Sequence, residues 1–206
     1  DAEFQRRMRA RVQAIRSAKP EPVALFVGRM VPYKGVDVFL RALVDTPARA
    51  ILVGDGPQRT TWQQLATELG IADRVQFAGE APASELAALY NACDFFVLPS
   101  VTRAEAFGMV QLEAMACGAV PLVGAGSVAQ DLAGAAGVVF QDDTFSALAA
   151  ALSPLLMVPG RLEQAQAEAV RQIATTNTLA HFSADFVAEI RQILAQTPAI
   201  QGSRFD

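Results

Sequence analysis

The chain has 206 residues, enough to bury a sizeable core in one large or two small domains. Its formal net charge of −4 gives no electrostatic reason to expect a nucleic-acid partner. No run of about 18 uninterrupted apolar residues predicts a membrane-spanning helix, so we expect a soluble protein.

Strand-like and helix-like segments alternate along the chain. Short apolar runs bounded by turn residues predict six strands: Val23–Gly28, Ala50–Val53, Val75–Ala78, Asp94–Leu98, Val120–Val123 and Gly137–Phe140. Amphipathic or apolar patterns predict helices at Val36–Val44, Gln58–Leu69, Ser84–Cys93, Phe107–Cys117, Thr144–Leu156, Gly160–Ala174 and Leu179–Gln196. Ser84 is predicted to cap the third of these helices.

This alternation predicts right-handed βαβ units that form one mostly parallel six-stranded sheet. Helices should cover both faces, which gives a Rossmann-like three-layer α/β/α sandwich. Ligands bind beyond the carboxyl ends of the strands in such sheets. Since the loops at Arg29, Gly54, Gly79 and Glu105 all follow strands, we expect them to converge on one crevice.

The stretch Pro99–Gly118 joins the fourth strand to the next helix. That helix, from about Phe107, is apolar except for Gln111 and Glu113. We therefore expect it to be buried on nearly every face, and a buried carboxylate at Glu113 to need a partner.

Glu105 precedes Glu113 by eight residues, a separation of about 12 Å on a helical rise. Between them, the free N–H groups of Phe107, Gly108 and Met109 predict an anion site at the helix start. A nucleotide-sugar, with hydroxyls at both ends and phosphates between, would fit. The alternative is that Glu105 only caps the helix and that an arginine satisfies Glu113.

Two cations follow the first strand. Arg29 and Lys34 lie in one strand-to-helix turn, and Lys34 is one of only two lysines in the chain. A guanidinium and an ammonium together suit a diphosphate. The alternative is a pair of solvated loop cations, and the turn Gly54–Pro57 is more typical of plain turn chemistry than of ligand contact.

Arginines are concentrated near the start of the chain, at positions 6, 7, 9, 11 and 16. We expect a solvated helix face or a linker there, with contact to an anionic membrane as the alternative. The first residues do not resemble a signal peptide, and Cys93 and Cys117 are typical of buried free thiols in a reducing compartment. We therefore expect a cytoplasmic protein, either free or peripheral at the inner face of the membrane. One histidine, His181, excludes a zinc site with several histidine ligands.

Five motifs, in order, resemble the C-terminal, donor-binding half of the group-1 (family 4) retaining glycosyltransferases, which have the GT-B architecture. They are FVGRMVPYKG, ILVGDGP, VQFAG, LYNACDFFVLPS and EAFGMVQLEAMACG. The resemblance covers about Val23–Leu156. It implies a hexosyltransferase that uses a nucleotide-diphosphate-sugar donor and needs no metal ion or other cofactor.

The resemblance also implies roles for single residues. Arg29 and Lys34 would neutralise the leaving diphosphate and Glu105 would meet the sugar hydroxyls, which makes these three the catalytic candidates. Glu113 would meet the ribose, and Ala81 would flank the base. The backbone around four residues would cradle the phosphates and sugar: Phe107, Gly108, Met109 and Val110.

Two departures limit the resemblance. Relatives usually carry Gly-Gly-apolar-Pro-Glu after the fifth strand, whereas this chain has Gly126–Gln130, GSVAQ. Relatives also have an N-terminal domain that holds the acceptor, here expected to be a sugar, a lipid-linked sugar or a small molecule. We expect residues 1–20 to be a linker or basic helix from that missing domain. Residues 21–158 should form the nucleotide-sugar-binding domain, with residues 159–206 as helices packed on it.

Without its acceptor domain the chain should transfer sugar weakly or not at all. Two other functions fit the same architecture. One is half of a GT-B-like epimerase or phosphorylase, although an epimerase would need further acid and base residues. The other is a non-catalytic nucleotide-sugar-binding module.

Overall fold

A computed structural model of the chain describes residues 2–18, 21–100, 109–141 and 144–176. Within these residues the strands are β1 Val23–Val27, β2 Arg49–Val53, β3 Val75–Gly79, β4 Phe95–Leu98, β5 Val120–Gly124 and β6 Val138–Phe140. The α-helices are α1 Ala2–Ala18, α2 Val36–Ala42, α3 Arg59–Glu68, α4 Ala83–Ala92, α5 Met109–Ala116, α6 Val128–Ala133, α7 Phe145–Met157 and α8 Arg161–Thr176. The helix predicted at Leu179–Gln196 lies outside the described residues, as does His181.

The six strands form one sheet in the order β3-β2-β1-β4-β5-β6, and all five neighbouring pairs are parallel. The chain crosses from β3 at one edge to β4 beside β1. Helices α2 and α3 pack on one face through Phe39 and Trp62, whereas α4 and α5 pack on the other through Leu89 and Ala114. This arrangement confirms the predicted Rossmann-like three-layer sandwich.

Helix α6, between β5 and β6, was not predicted. Ser127 caps it: its hydroxyl donates to the Gly124 carbonyl at 2.6 Å and accepts from the Gln130 N–H at 3.3 Å. The Gln130 side-chain oxygen accepts from the Gly126 N–H at 2.7 Å. The pattern Ser-x-x-Gln is a capping-box signature, so this sequence carried a helix signal.

The predicted cap at Ser84 is wrong. Helix α4 begins at Ala83, and Pro82 occupies the cap position without a side-chain bond. The Pro82 carbonyl instead accepts from the N–H groups of Glu85 and Leu86, at 2.9 and 3.0 Å. The fixed φ of proline suits a helix start, and this carbonyl satisfies the Glu85 N–H, which a capping side chain could otherwise bind.

Asp94 joins three elements at the amino end of the sheet. Its carboxylate accepts from the Val23 N–H of β1 at 2.8 Å, and lies 3.5 Å from the Arg16 guanidinium of α1. Gln166 of α8 donates to it at 3.4 Å. Helix α1 also pairs with α4 through Arg11 and Glu85, at 2.7 Å.

The arginines of α1 at positions 6, 7, 9, 11 and 16 are all exposed, as expected for a solvated helix face. No single described helix is long and apolar enough to cross a membrane. Helices α7 and α8, bent by 105° at their junction, meet that test only as a pair and only by length and composition.

Candidate functional site

The strand order creates a topological switch point between β1 and β4, where we expect the crevice. After β1 the chain turns to α2 on one face of the sheet, and after β4 it continues to α5 on the other. Such a switch point, at the carboxyl ends of the strands, is where open α/β sheets bind ligands. Of the predicted site residues, Glu105, Phe107 and Gly108 lie outside the described residues.

The loops after β1 and β4 touch each other at Gly35 and Pro99. Gly35 has φ of +65°, and a Cβ atom there would lie 2.8 Å from the Pro99 carbonyl oxygen. Only glycine allows both this backbone conformation and this approach. The loop that carries Arg29 and Lys34 is therefore held against the chain segment that leads toward α5.

The loop after β2 supports the Arg29 loop from its other side. The Met30 N–H donates to the Asp55 carbonyl at 2.8 Å, and the Met30 carbonyl accepts from the Gln58 N–H at 3.1 Å. A Cβ on Gly54 would lie 2.1 Å from the Gly28 carbonyl oxygen. The turn Gly54–Pro57 thus packs directly against the cation-bearing loop, in agreement with its interpretation as turn chemistry.

Lys34 and Arg29 differ in their surroundings. Lys34 ends a short 3-10 turn, Pro32–Lys34, and is only 9% exposed. Its Nζ lies 5.5 Å from the centroid of the Tyr33 ring, a cation–π contact. Arg29 is exposed, and the structure shows no hydrogen bond or ion pair between its side chain and another described residue. A solvated loop cation is thus a fair description of Arg29 but not of Lys34.

Helix α5 has an exposed stripe, so the expectation that it is buried on nearly every face is wrong. Met109, Glu113 and Ala116 are exposed and follow one stripe at positions i, i+4 and i+7. The buried positions are Gln111, Ala114 and Met115. Because Glu113 lies on the exposed stripe, its carboxylate does not need a buried partner and remains open to a ligand.

Gln111, on the buried face of α5, links this helix to α6. Its amide nitrogen donates to the Ala129 carbonyl at 2.9 Å, while its amide oxygen is buried with no hydrogen-bond partner among the described residues. This link fixes α5 against the segment that departs from the family pattern. The only sign of this link in the sequence is a polar residue in an apolar helix.

Glu113 has two neighbours that the sequence analysis missed. Burial raises the pKa of the Tyr90 hydroxyl, and the nearby Glu113 carboxylate raises it further. Burial also raises the pKa of the Cys117 thiol, and Glu113 adds to that shift, while a hydrogen bond from Asn91 opposes it. Tyr90 and Asn91 lie on α4, so the Glu113 carboxylate affects groups on both sides of the contact between α4 and α5.

The two thiols differ. Cys93 is buried, as expected, and burial raises its pKa strongly. Cys117 is only half-buried.

Ala81 lies between β3 and α4, half-buried against the apolar cluster that contains Tyr90. Because β3 is the edge strand, two strand spacings of about 4.8 Å separate it from β1. A ligand that touches both the Arg29 loop and Ala81 must therefore extend along the carboxyl edge of the sheet. An elongated molecule could do so.

Other features of the described residues lie away from this crevice. A groove of about 410 Å³ lies between α2 and α3, beside Asp37, Arg41 and Trp62, and neither Arg29 nor Lys34 lines it. Within the described ranges, no group of three or more histidine, cysteine, aspartate or glutamate side chains could hold a metal ion.

Comparison with known families identifies the class of protein. Residues 9–173 match the family model described as "Glycosyl transferases group 1". The chain belongs to the group 1 glycosyl transferases. This membership confirms the resemblance seen in the ordered motifs.

A curated relative extends the comparison. The chain is 35% identical, over 165 residues, to a GDP-mannose-dependent alpha-(1-6)-phosphatidylinositol monomannoside mannosyltransferase of Mycolicibacterium smegmatis. The match covers 74% of this chain and 43% of that enzyme. The chain therefore spans less than half the length of the curated relatives it matches first.

Solved structures agree with this assignment. HepE of Anabaena, crystallised with UDP-glucose, is 26% identical to this chain, and the two structures superimpose with a TM-score of 0.67. The match covers 79% of this chain and 48% of HepE. The C-terminal domain of the group 1 family protein LpcC from Francisella tularensis is 21% identical with a TM-score of 0.69, over 81% of this chain and 93% of that domain. This chain therefore has the fold of one half of a GT-B glycosyltransferase.

Proposed function

We propose that this chain binds a nucleotide-diphosphate-sugar donor for retaining glycosyl transfer that needs no metal ion, while a domain outside the chain holds the acceptor. The observation that carries this proposal is the loop with Arg29 and Lys34. It lies at the switch point of the sheet, is supported by the Gly54 turn, and is pressed against Pro99. Such support holds the backbone of both residues in place before any ligand arrives, and the Lys34 side chain is also largely buried.

Fixed cations suit the chemistry of glycosyl transfer. Negative charge grows on the leaving diphosphate as the glycosidic bond breaks, and preorganised positive groups aimed at that charge lower the barrier. Lys34 would provide a held ammonium and Arg29 a guanidinium able to bind two phosphate oxygens. The first N–H groups of α5, at Met109 and Val110, would add donors at a helix start.

The remaining contacts follow the shape of the donor. Glu113, exposed on α5, would accept hydrogen bonds from the ribose hydroxyls, and Ala81 would flank the base at the β3 edge. Glu105, Phe107 and Gly108 keep their predicted roles at the sugar and phosphates. The elongated carboxyl edge suits a ligand of this kind.

The related proteins support a nucleotide-diphosphate-sugar as the donor class more than they support a particular base or sugar. The mycobacterial relative is named as GDP-mannose-dependent, and HepE was crystallised with UDP-glucose. These two donors differ in base and sugar but share the diphosphate, the part that Arg29 and Lys34 would bind. The relative's name also specifies a lipid acceptor, which favours a full-length enzyme that works at a membrane surface.

The experiment begins with thermal unfolding in the presence of UDP, GDP, ADP and TDP, because only a bound nucleotide stabilises the folded state. Calorimetric titration of the best nucleotide then compares Arg29→Ala and Lys34→Ala with the parent chain. We expect each change to cost about 1 to 3 kcal/mol of binding free energy through lost charged hydrogen bonds.

The matched control is Arg41→Ala, since Arg41 is an exposed arginine on α2 that lines the separate groove. This change should leave the affinity unaltered, and a chelator should not weaken binding to the parent chain. Unchanged affinity in both Arg29→Ala and Lys34→Ala would remove their assigned role. A strict magnesium requirement would contradict the metal-independent part of the proposal.

A further inference from the structure

Tyr90 is a buried tyrosine whose hydroxyl lacks a well-formed hydrogen bond. The residue is 4% exposed, and its Oη atom makes no hydrogen bond of normal geometry with a described residue, although burial and then hydrogen bonding and charge from the Glu113 carboxylate raise the pKa of the hydroxyl. A buried hydroxyl without a hydrogen bond costs about 1 to 3 kcal/mol. Phenylalanine would fill the same space without this cost, so the hydroxyl calls for a functional explanation.

The Tyr90 ring is held in place by packing. It meets the Phe96 ring of β4 edge-on, with centroids 6.2 Å apart and planes at 63°. Side chains on a helix lean toward its amino end. Because α4 begins just after β3, this lean directs the Tyr90 ring along α4 toward the carboxyl edge of the sheet, where the donor would bind.

A hydrogen bond between the residues next to Tyr90 and one turn after Glu113 links α4 to the end of α5. Asn91, next to Tyr90, donates from Nδ2 to the Cys117 Sγ atom at 3.3 Å and to the Ala87 carbonyl at 2.8 Å. Cys117 follows Glu113 by four residues, about one turn, and lies just past the end of α5. Burial raises the pKa of both Tyr90 and Cys117, and the Glu113 carboxylate raises both further, as expected of a carboxylate near both side chains.

We propose that the Tyr90 hydroxyl donates a hydrogen bond to one oxygen of the Glu113 carboxylate in the donor-bound state, and thereby directs the other oxygen toward the ribose. The proposal rests on the proposed function and names Tyr90 as a positioning residue, because it would act on the ligand only through Glu113. A hydrogen bond to a carboxylate is stronger than one between neutral groups. It would also reduce the rotational freedom that Glu113 loses when the ligand binds.

The chemistry of both groups suits this role. The raised pKa keeps the Tyr90 hydroxyl protonated, so it can donate over the whole physiological pH range. Glu113 is exposed, so one of its oxygens can face a ligand while the other faces Tyr90.

The test is Tyr90→Phe, which removes the hydroxyl and keeps the ring against Phe96. Titrations use the nucleoside diphosphate selected by thermal unfolding and, separately, inorganic pyrophosphate. We expect Tyr90→Phe to weaken binding of the nucleoside diphosphate about three- to tenfold, the range for one hydrogen bond, and to leave pyrophosphate binding unchanged. The melting temperature should stay level or rise, because an unpaired buried hydroxyl is removed.

Glu113→Gln supplies the second arm. This variant should also weaken binding of the nucleoside diphosphate more than binding of pyrophosphate. Adding Tyr90→Phe to Glu113→Gln should cause no further loss of affinity, since the two residues act as one unit. Additive losses in the double variant, an equal loss for pyrophosphate, or unchanged affinity in Tyr90→Phe would each overturn the proposal.

Failure of the proposed function would look different. If the parent chain bound no nucleoside diphosphate, or if Arg29→Ala and Lys34→Ala both bound it normally, the donor-binding role itself would fall and the role of Tyr90 with it. If Lys34→Ala weakened binding while Tyr90→Phe did not, only the positioning role would fall.

Discussion

Among single residues, the Glu113 carboxylate affects titratable groups on two neighbouring segments. It is exposed on α5, yet it adds to the burial that raises the pKa of a tyrosine on α4 and of a cysteine just past the end of its own helix. Cys117 therefore provides a chemical probe of the charge at Glu113. Cys93 does not interfere, because it is fully buried and its pKa is strongly raised by burial.

We expect Glu113→Gln to lower the pKa of Cys117. The negative carboxylate disfavours the thiolate, so a neutral amide allows the thiol to lose its proton at a lower pH. The measurement is the rate of Cys117 alkylation by iodoacetamide across a pH series, since the thiolate is the reactive form. The midpoint of the rate profile should move to lower pH.

Two comparison variants make this result specific. Asn91→Ala should move the midpoint to higher pH, because the Asn91 amide lowers the Cys117 pKa. Glu85→Gln removes the charge of a carboxylate on α4 that pairs with Arg11, and it should leave the midpoint of the rate profile unchanged. A midpoint that does not respond to Glu113→Gln would show that the two side chains are not neighbours, and would also weaken the placement of Tyr90.

The exposure of Glu113 could not be predicted from the composition of its helix. Met109 and Ala116 made the helix look apolar all round, but both lie on the exposed stripe with Glu113. Alanine and methionine tolerate exposure, so a count of apolar residues overestimates burial where they occupy one face. By contrast, Gln111 is also polar but is buried. Its burial is tolerated because the Ala129 carbonyl accepts a hydrogen bond from its amide nitrogen.

At the level of elements, the crevice depends on how closely three loops approach one another. Gly35 meets Pro99, and Gly54 meets Gly28, at distances that exclude a Cβ atom. The sequence predicted that these loops gather at one edge of the sheet, because parallel strands all end there. It could not predict which loops touch, because that depends on β1 lying between β2 and β4.

Gly35→Ala should damage both stability and binding. Alanine at φ of +65° costs roughly 1 to 2 kcal/mol, and its Cβ would press on the Pro99 carbonyl, adding about 1 to 3 kcal/mol. Because the clash falls between the two loops of the crevice, the affinity for the nucleoside diphosphate should fall as well. Urea unfolding and calorimetric titration measure the two effects.

Gly70→Ala is the matched control. Gly70 has φ of +69°, nearly the same as Gly35, but no atom lies within 4 Å of a Cβ placed there. It should show the cost of the backbone conformation alone, with nucleotide affinity unchanged. If Gly35→Ala and Gly70→Ala lost equal stability and both kept their affinity, the contact with Pro99 would have no role in the crevice.

For the whole molecule, the alternation of apolar runs and helical patterns was enough to predict six strands in one parallel sheet. The strand order was not predictable from these local patterns, because it depends on where the chain crosses from β3 to β4. Helix α6 was missed because GSVAQ was compared only with the pattern of the relatives, although Ser127 and Gln130 cap a short helix. The carboxyl edge predicted for the site is nevertheless the edge where Arg29 and Lys34 lie.

The amino edge of the sheet has a different role, and a substitution at Asp94 can test it. Its carboxylate binds the buried Val23 N–H and contacts α1 and α8 through Arg16 and Gln166. Asp94→Ala leaves that N–H without a partner, so the free energy of unfolding should fall by about 1 to 3 kcal/mol. Since Val23 begins β1, whereas Arg29 follows its end, nucleotide affinity should not change.

The control is Asp45→Ala, which removes an exposed carboxylate with no hydrogen bond or ion pair among the described residues. Its unfolding free energy should stay within about 0.5 kcal/mol of the parent value. Urea unfolding gives the stabilities, and titration of the folded variants gives the affinities. If Asp94→Ala remained folded but lost nucleotide affinity, the two edges of the sheet would be coupled. The separation of stability at the amino edge from binding at the carboxyl edge would then be wrong.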